Sequence, residues 1–75
     1  MEDCTAKLIC TMRETNETGT SLKSHVEEKK MWKYIDQFSN EMKLTKVIVE
    51  FSGRASPKLF FLGRVFDQVV GPTNE

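Results

Sequence analysis

Few side chains in this sequence can do chemistry, and their spacing limits what that chemistry would be. Thiol–disulfide exchange needs one thiolate to attack and a second thiol to resolve the mixed disulfide. The only cysteines are Cys4 and Cys10. On one strand they would stand roughly 20 Å apart, at about 3.3 Å per residue, whereas a disulfide needs α-carbons within about 7 Å. Cys10 reads as a core thiol and Cys4 as a thiol on a loose end, and neither precedes a helix that would activate it. His25 and Glu28 form the nearest approach to a metal pair, but two ligands fall short of a site, so no metal is assigned. A single histidine leaves no Ser-His-acid set, and Gly53 and Gly63 are too isolated to cradle a phosphate. The sequence therefore assigns no catalytic residue and no cofactor.

Composition narrows the classes further. A chain of 75 residues is one domain with a thin core. Its 11 basic and 11 acidic side chains cancel, so no global field draws it to nucleic acid or membrane. A weak local patch runs from Lys43 to Arg64, with five basic residues and one acid, Glu50. No apolar run approaches the roughly 20 residues that span a bilayer. The start, Met1-Glu2-Asp3-Cys4, lacks the basic and apolar regions of a signal peptide. Asn16-Glu17-Thr18 then reads as a chance sequon, and the expectation is a reduced, cytoplasmic protein.

Several elements must position these residues. Ala6, Leu8, Cys10 and Met12 alternate with mostly polar neighbours, which predicts a half-buried strand over about 5–13, broken in pattern only by Ile9. Glu14 to Thr20 reads as a loop. Ser24-His25-Val26-Glu27 fits a capping box, and Met31, Ile35, Phe38 and Met42 recur at helical spacing, so a helix is predicted over about 24–39. Ser39-Asn40 supplies a stop. Val47-Ile48-Val49 with Phe51 predicts a strand over about 45–51, apolar on both faces as a doubly covered central strand should be. After a loop marked by Gly53 and Pro57, strands are expected at about 58–62 and 64–70, with Gly63 at the turn. The order is β-α-β-β-β in a single α+β domain.

Two stretches, covering about a third of the chain, carry a family pattern. One is Leu44-Thr45-Lys46-Val47-Ile48-Val49-Glu50-Phe51-Ser52-Gly53. The other is Pro57, an apolar strand, Gly63, then Asp67, Val69-Val70 and Gly71. They resemble the thioredoxin family: the strand that runs into the Trp-Cys-Gly-Pro-Cys motif, and the late hairpin. Trp32 stands about as far before the strand as a Trp does in many plant h-type members. The resemblance implies a thioredoxin-like fold truncated internally, with Pro57 at the position that is cis in thioredoxins. Arg54-Ala55-Ser56-Pro57-Lys58 replaces the redox motif, so the disulfide oxidoreductase activity of the family is not expected here. A rival alignment lays residues 49–69 over the strand, redox motif and following helix, but Phe60-Phe61-Leu62-Gly63 is poor helix material.

The resemblance also implies a site and a liability. Ser56, Pro57 and the edge of the hairpin would hold a peptide in extended form, as thioredoxins do. The missing strand and helices would leave Val47, Ile48, Val49, Phe51, Phe60 and Phe61 short of cover on one face, which favours self-association. A βαβ crossover would let the first strand pair directly with residues 47–51. The resulting expectation is a redox-inactive, thioredoxin-like protein that binds a peptide or protein partner. One alternative is a small protein-binding or inhibitor module unrelated to thioredoxin. Another, ranked lower, is a nucleic-acid module that uses the basic aromatic hairpin around Lys58-Leu59-Phe60-Phe61.

Overall fold

The alternation at residues 6 to 12 and the β-branched run at 47 to 51 become neighbouring strands in the computed structural model, which describes residues 4–53 and 56–67. In chain order the elements are β1 (Cys4–Met12), β2 (Thr18–Val26), α1 (Glu28–Glu41), β3 (Leu44–Phe51), β4 (Lys58–Phe61) and β5 (Arg64–Phe66). Among the described residues this is a small α+β fold of one helix and a five-stranded antiparallel sheet, ordered β2-β1-β3-β4-β5.

The second strand corrects the sequence reading. Residues 14–20 are not one loop, and Ser24 does not cap a helix, because Thr18–Val26 pairs along β1, with Cys10 opposite Gly19 and Leu8 opposite Ser21. Only residues 13–17 turn the chain. The Asn16 N–H donates to the Met12 carbonyl and the Met12 N–H to the Glu17 carbonyl, each at 2.9 Å, with Asn16 at φ 60°. With Ser24 inside a strand, the helix starts later. Glu27 is the N-cap and makes no side-chain capping bond, while its carbonyl accepts from Lys30 and Met31. The helix also runs past the expected Ser39-Asn40 stop. The Met42 N–H still reaches the Phe38 carbonyl at 2.9 Å, and Lys43, not Asn40, takes the left-handed conformation at φ 55°.

That extra strand changes the topology. A hairpin reverses the chain before the helix, so β1 pairs with β3 antiparallel, Cys10 facing Val47 and Leu8 facing Val49. The crossover instead joins β2 to β3, with β1 lying between them. The hairpin at Gly63 is present. Phe61 pairs with Arg64, and Leu62 and Gly63 both have positive φ (54° and 77°), as a two-residue type I′ turn requires. A helix through residues 58–66 is thereby excluded. β5 ends at Phe66, and the rest of the strand expected to residue 70, with Val69, Val70 and Gly71, lies outside the described residues.

The core occupies one face of the sheet. Ala6, Leu8, Cys10, Val47, Val49, Phe51 and Phe60 are buried against Met31 and Ile35 of α1. Fully burying one such aliphatic side chain contributes about 1.5–3 kcal/mol. Trp32 extends the cover toward β4, edge-on to Phe51 with ring centroids 5.9 Å apart and stacked on Phe60 at 6.5 Å. Tyr34 stacks on Phe38 at 5.7 Å and takes Lys23 Nζ over its ring at 4.6 Å, extending the cover toward β2. Met42, the last member of the predicted stripe, is exposed. β3 is covered on one face rather than two: Val47, Val49 and Phe51 are buried, whereas Ile48 is half-buried on the other side.

Candidate functional site

Ser56 and Pro57, the two binding residues read from the sequence, line a shallow cleft of about 500 Å³ with Thr5, Lys7, Glu50, Ser52 and Gly53. The ends of β1 and β3 form it. The Ser52 N–H donates to the Thr5 carbonyl at 2.9 Å, and the Thr5 N–H donates to Ser52 Oγ at 3.0 Å. Lys7 and Glu50 are cross-strand partners at its floor. Ser56 is exposed and Pro57 half-buried, and no cis peptide bond occurs among the described residues. No histidine lines the cleft, so the Ser56 hydroxyl has no neighbouring imidazole to take its proton.

The thiols are positioned by β1 and kept apart by it. Cys10 is buried, with Sγ 3.9 Å from the Leu8 carbonyl oxygen. Burial pushes its thiol up from the ordinary value of 9.0, which disfavours the nucleophilic thiolate. Cys4 is half-buried at the far end of the strand, in a groove shared with Glu27, Glu28 and Trp32. Among the described residues no three His, Cys, Asp or Glu side chains gather as a metal site would require. Lys58 is tied to two carboxylates, Asp67 at 3.1 Å and Glu28 at 3.8 Å, which fastens the β4–β5 hairpin to the start of α1.

A second cleft was hidden from sequence reasoning because its wall is β2. It holds about 290 Å³ and is lined by Phe38, Met42, Leu44, Met12 and Cys10 against Thr18 to Ser21. Gly19 stands opposite Cys10, and a Cβ built there meets no atom within 4 Å, so the missing side chain opens this space. The cleft lies beside a sheet edge: β2 is the outermost strand, and no described strand pairs with its far side. The available signal was Thr18 and Thr20, β-branched residues two apart, within a stretch dominated by turn formers.

The register also decides which hairpin aromatic faces which way. Phe60 pairs with Val47 and is buried under the helix, so it is unavailable to a ligand on the open face. Phe61 pairs with Lys46 on that open face and is half-buried. No protein-family model matches this chain, and neither does any curated protein or solved structure. Among the described residues, no helix is long and apolar enough to cross a membrane.

Proposed function

We propose that this chain is a non-catalytic protein-binding domain that takes an extended peptide along the outer edge of β2, with one apolar peptide side chain in the cleft beside Gly19. The observation that carries it is the coincidence of a nine-residue edge strand with that cleft. Strand addition draws affinity from main-chain hydrogen bonds and specificity from pockets for alternate side chains. A volume of about 290 Å³ lies at the floor of the range for small-molecule sites, so the cleft suits a side chain better than a cofactor. Met12 and Met42 give it walls that adapt to more than one apolar shape. Thioredoxin-like ancestry is proposed on the sequence pattern of residues 44–71 alone, and this binding mode does not depend on it. Two thiols without a disulfide partner scheme suit a reducing compartment, the cytoplasm.

The test uses an array of eight-residue peptides with alternating apolar and polar positions, probed with the full chain. Gly19→Val is the deciding variant, since it fills the cleft while raising strand propensity. Binding should fall at least tenfold with the unfolding midpoint unchanged or higher. Binding that survives Gly19→Val but is lost in Lys7→Ala would move the site to the Ser56–Pro57 cleft and overturn the assignment, as would no binding to any peptide.

A further inference from the structure

We infer that two copies of this chain stack through the sheet face that α1 leaves uncovered, around a two-fold axis running across the strands. This goes beyond peptide capture and uses a different surface.

Cross-strand partners share a face, so the pairing register maps the open surface row by row. One row starts at Thr20 on β2 and continues across the other four strands as Ile9, Ile48, Leu59 and Phe66. All four are apolar; Ile9, Ile48 and Leu59 are half-buried, and Phe66 is 41 % exposed. The row on one side contains Thr18, Thr11, Lys46, Phe61 and Arg64, and the row on the other contains Leu22, Lys7 and Glu50. The surface therefore has an apolar centre line with charged groups on both sides of it, joined in the flanking rows by Phe61 and the exposed Leu22, the layout of an interface core and rim.

Charge placement selects the occupant. Lys46 and Glu50 lie two residues before and two residues after Ile48 on β3. A two-fold axis along the apolar row lays β3 over its own copy in reverse, so Lys46 of each copy meets Glu50 of the other, twice per dimer. The same operation stacks Ile48 on Ile48 and sets Phe61 near Pro57. Packed sheets lie about 10 Å apart, and their strands cross at about 30°. At roughly 6.7 Å from the axis, that angle displaces each charge by about 3.5 Å. Facing lysine and glutamate side chains, reaching from both sides, span such a gap. Among the described residues of this face Lys7, Lys46 and Arg64 outnumber Glu50, so a nucleic acid is the rival occupant; it would bring phosphate against Glu50, which a second copy instead places beside Lys46. An isologous stack is also closed, so the apolar row is used up without seeding a polymer.

The experiment is sedimentation equilibrium of the full chain over a concentration series, with two single charge reversals and their mixture. Wild type should dimerise. Lys46→Glu and Glu50→Lys should each weaken the homodimer about tenfold or more, because each sets like charges opposite one another across the axis. An equimolar mixture of the two variants should recover dimerisation, since both cross-axis pairs are then attractive. Circular dichroism of each variant separates this from unfolding. A wild-type monomer throughout, or a mixture no tighter than the single variants, overturns the proposal. So does a monomer that binds a single-stranded oligonucleotide at physiological salt and loses it on Phe61→Ala with Arg64→Ala.

Discussion

β3 presents two surfaces made from one run of residues. Val47, Val49 and Phe51 are buried under α1, while Lys46, Ile48 and Glu50 face away from it. The helix side is closed by packing within the chain, and the other side carries an apolar line with charges on both flanks. Hydrophobicity along a strand therefore has two uses. One face stabilises the fold, and the other is the surface proposed for association.

Matched substitutions on β1 test that division most strongly. Leu8 is fully buried and its neighbour Ile9 is half-buried on the open face. Leu8→Ala should cost about 2–5 kcal/mol in urea unfolding, a large share of the stability of so small a domain. Ile9→Ala, measured at protein concentrations too low for dimer, should cost about 1 kcal/mol or less. Equal losses would mean the open face is as much core as the covered one.

A smaller effect, of opposite sign, is expected at the hairpin tip. Leu62 holds φ 54° while 79 % exposed, so it bears the strain of a left-handed conformation and gains almost no burial. Leu62→Asn should raise stability by about 0.5–1 kcal/mol, because asparagine tolerates that region and suits a type I′ turn. Thermal unfolding reads this directly, and a lower midpoint would show that Leu62 packs against something the monomer needs.

The smallest effect separates the two thiols. Burial raises the Cys10 thiol above 9.0 in the folded chain, so above that pH the unfolded state has lost a proton that the folded state keeps. Stability should therefore fall as pH climbs past 9.0, and less steeply in Cys10→Ala than in wild type. At neutral pH a thiol-specific reagent should modify Cys4 well before Cys10, because only Cys10 is buried. Equal rates would place Cys10 outside the core.

Where pattern and burial coincide, the sequence was legible. Met31, Ile35 and Phe38 mark the covered stripe of α1, and the β-branched run at 47–49 marks β3. β2 was not legible, because TGTSLKSHV holds only two large apolar residues and its Ser24–Glu27 stretch mimics a helix cap. Edge strands that bury little carry little periodic signal, and the β2 cleft was lost with its wall. Ser56 and Pro57 came forward as binding residues through the thioredoxin resemblance alone; the structure places them beside a cleft at the ends of β1 and β3, a position that Gly–Pro punctuation of the loop does not give. The adjacent Phe60 and Phe61 could not be assigned to faces from sequence, since only pairing of Phe60 with Val47 fixes which one points inward.

The place of β1 inside the sheet sets a timetable. It is first among the described strands in sequence order, yet it lies between β2 and β3. On the ribosome, the β1–β2 ribbon can close as soon as residue 26 emerges, but its inner edge has no partner until residues 44–51 follow. At about 5–20 residues per second that interval lasts roughly 1–5 s. For the first part of it Leu8 and Cys10 lack both α1 and β3, and until residue 51 they lack β3, while an isolated two-stranded ribbon is marginal in water. A nascent chain stalled in this window offers a bare strand edge to its neighbours on the polysome, so translation speed between residues 27 and 51 becomes a determinant of yield.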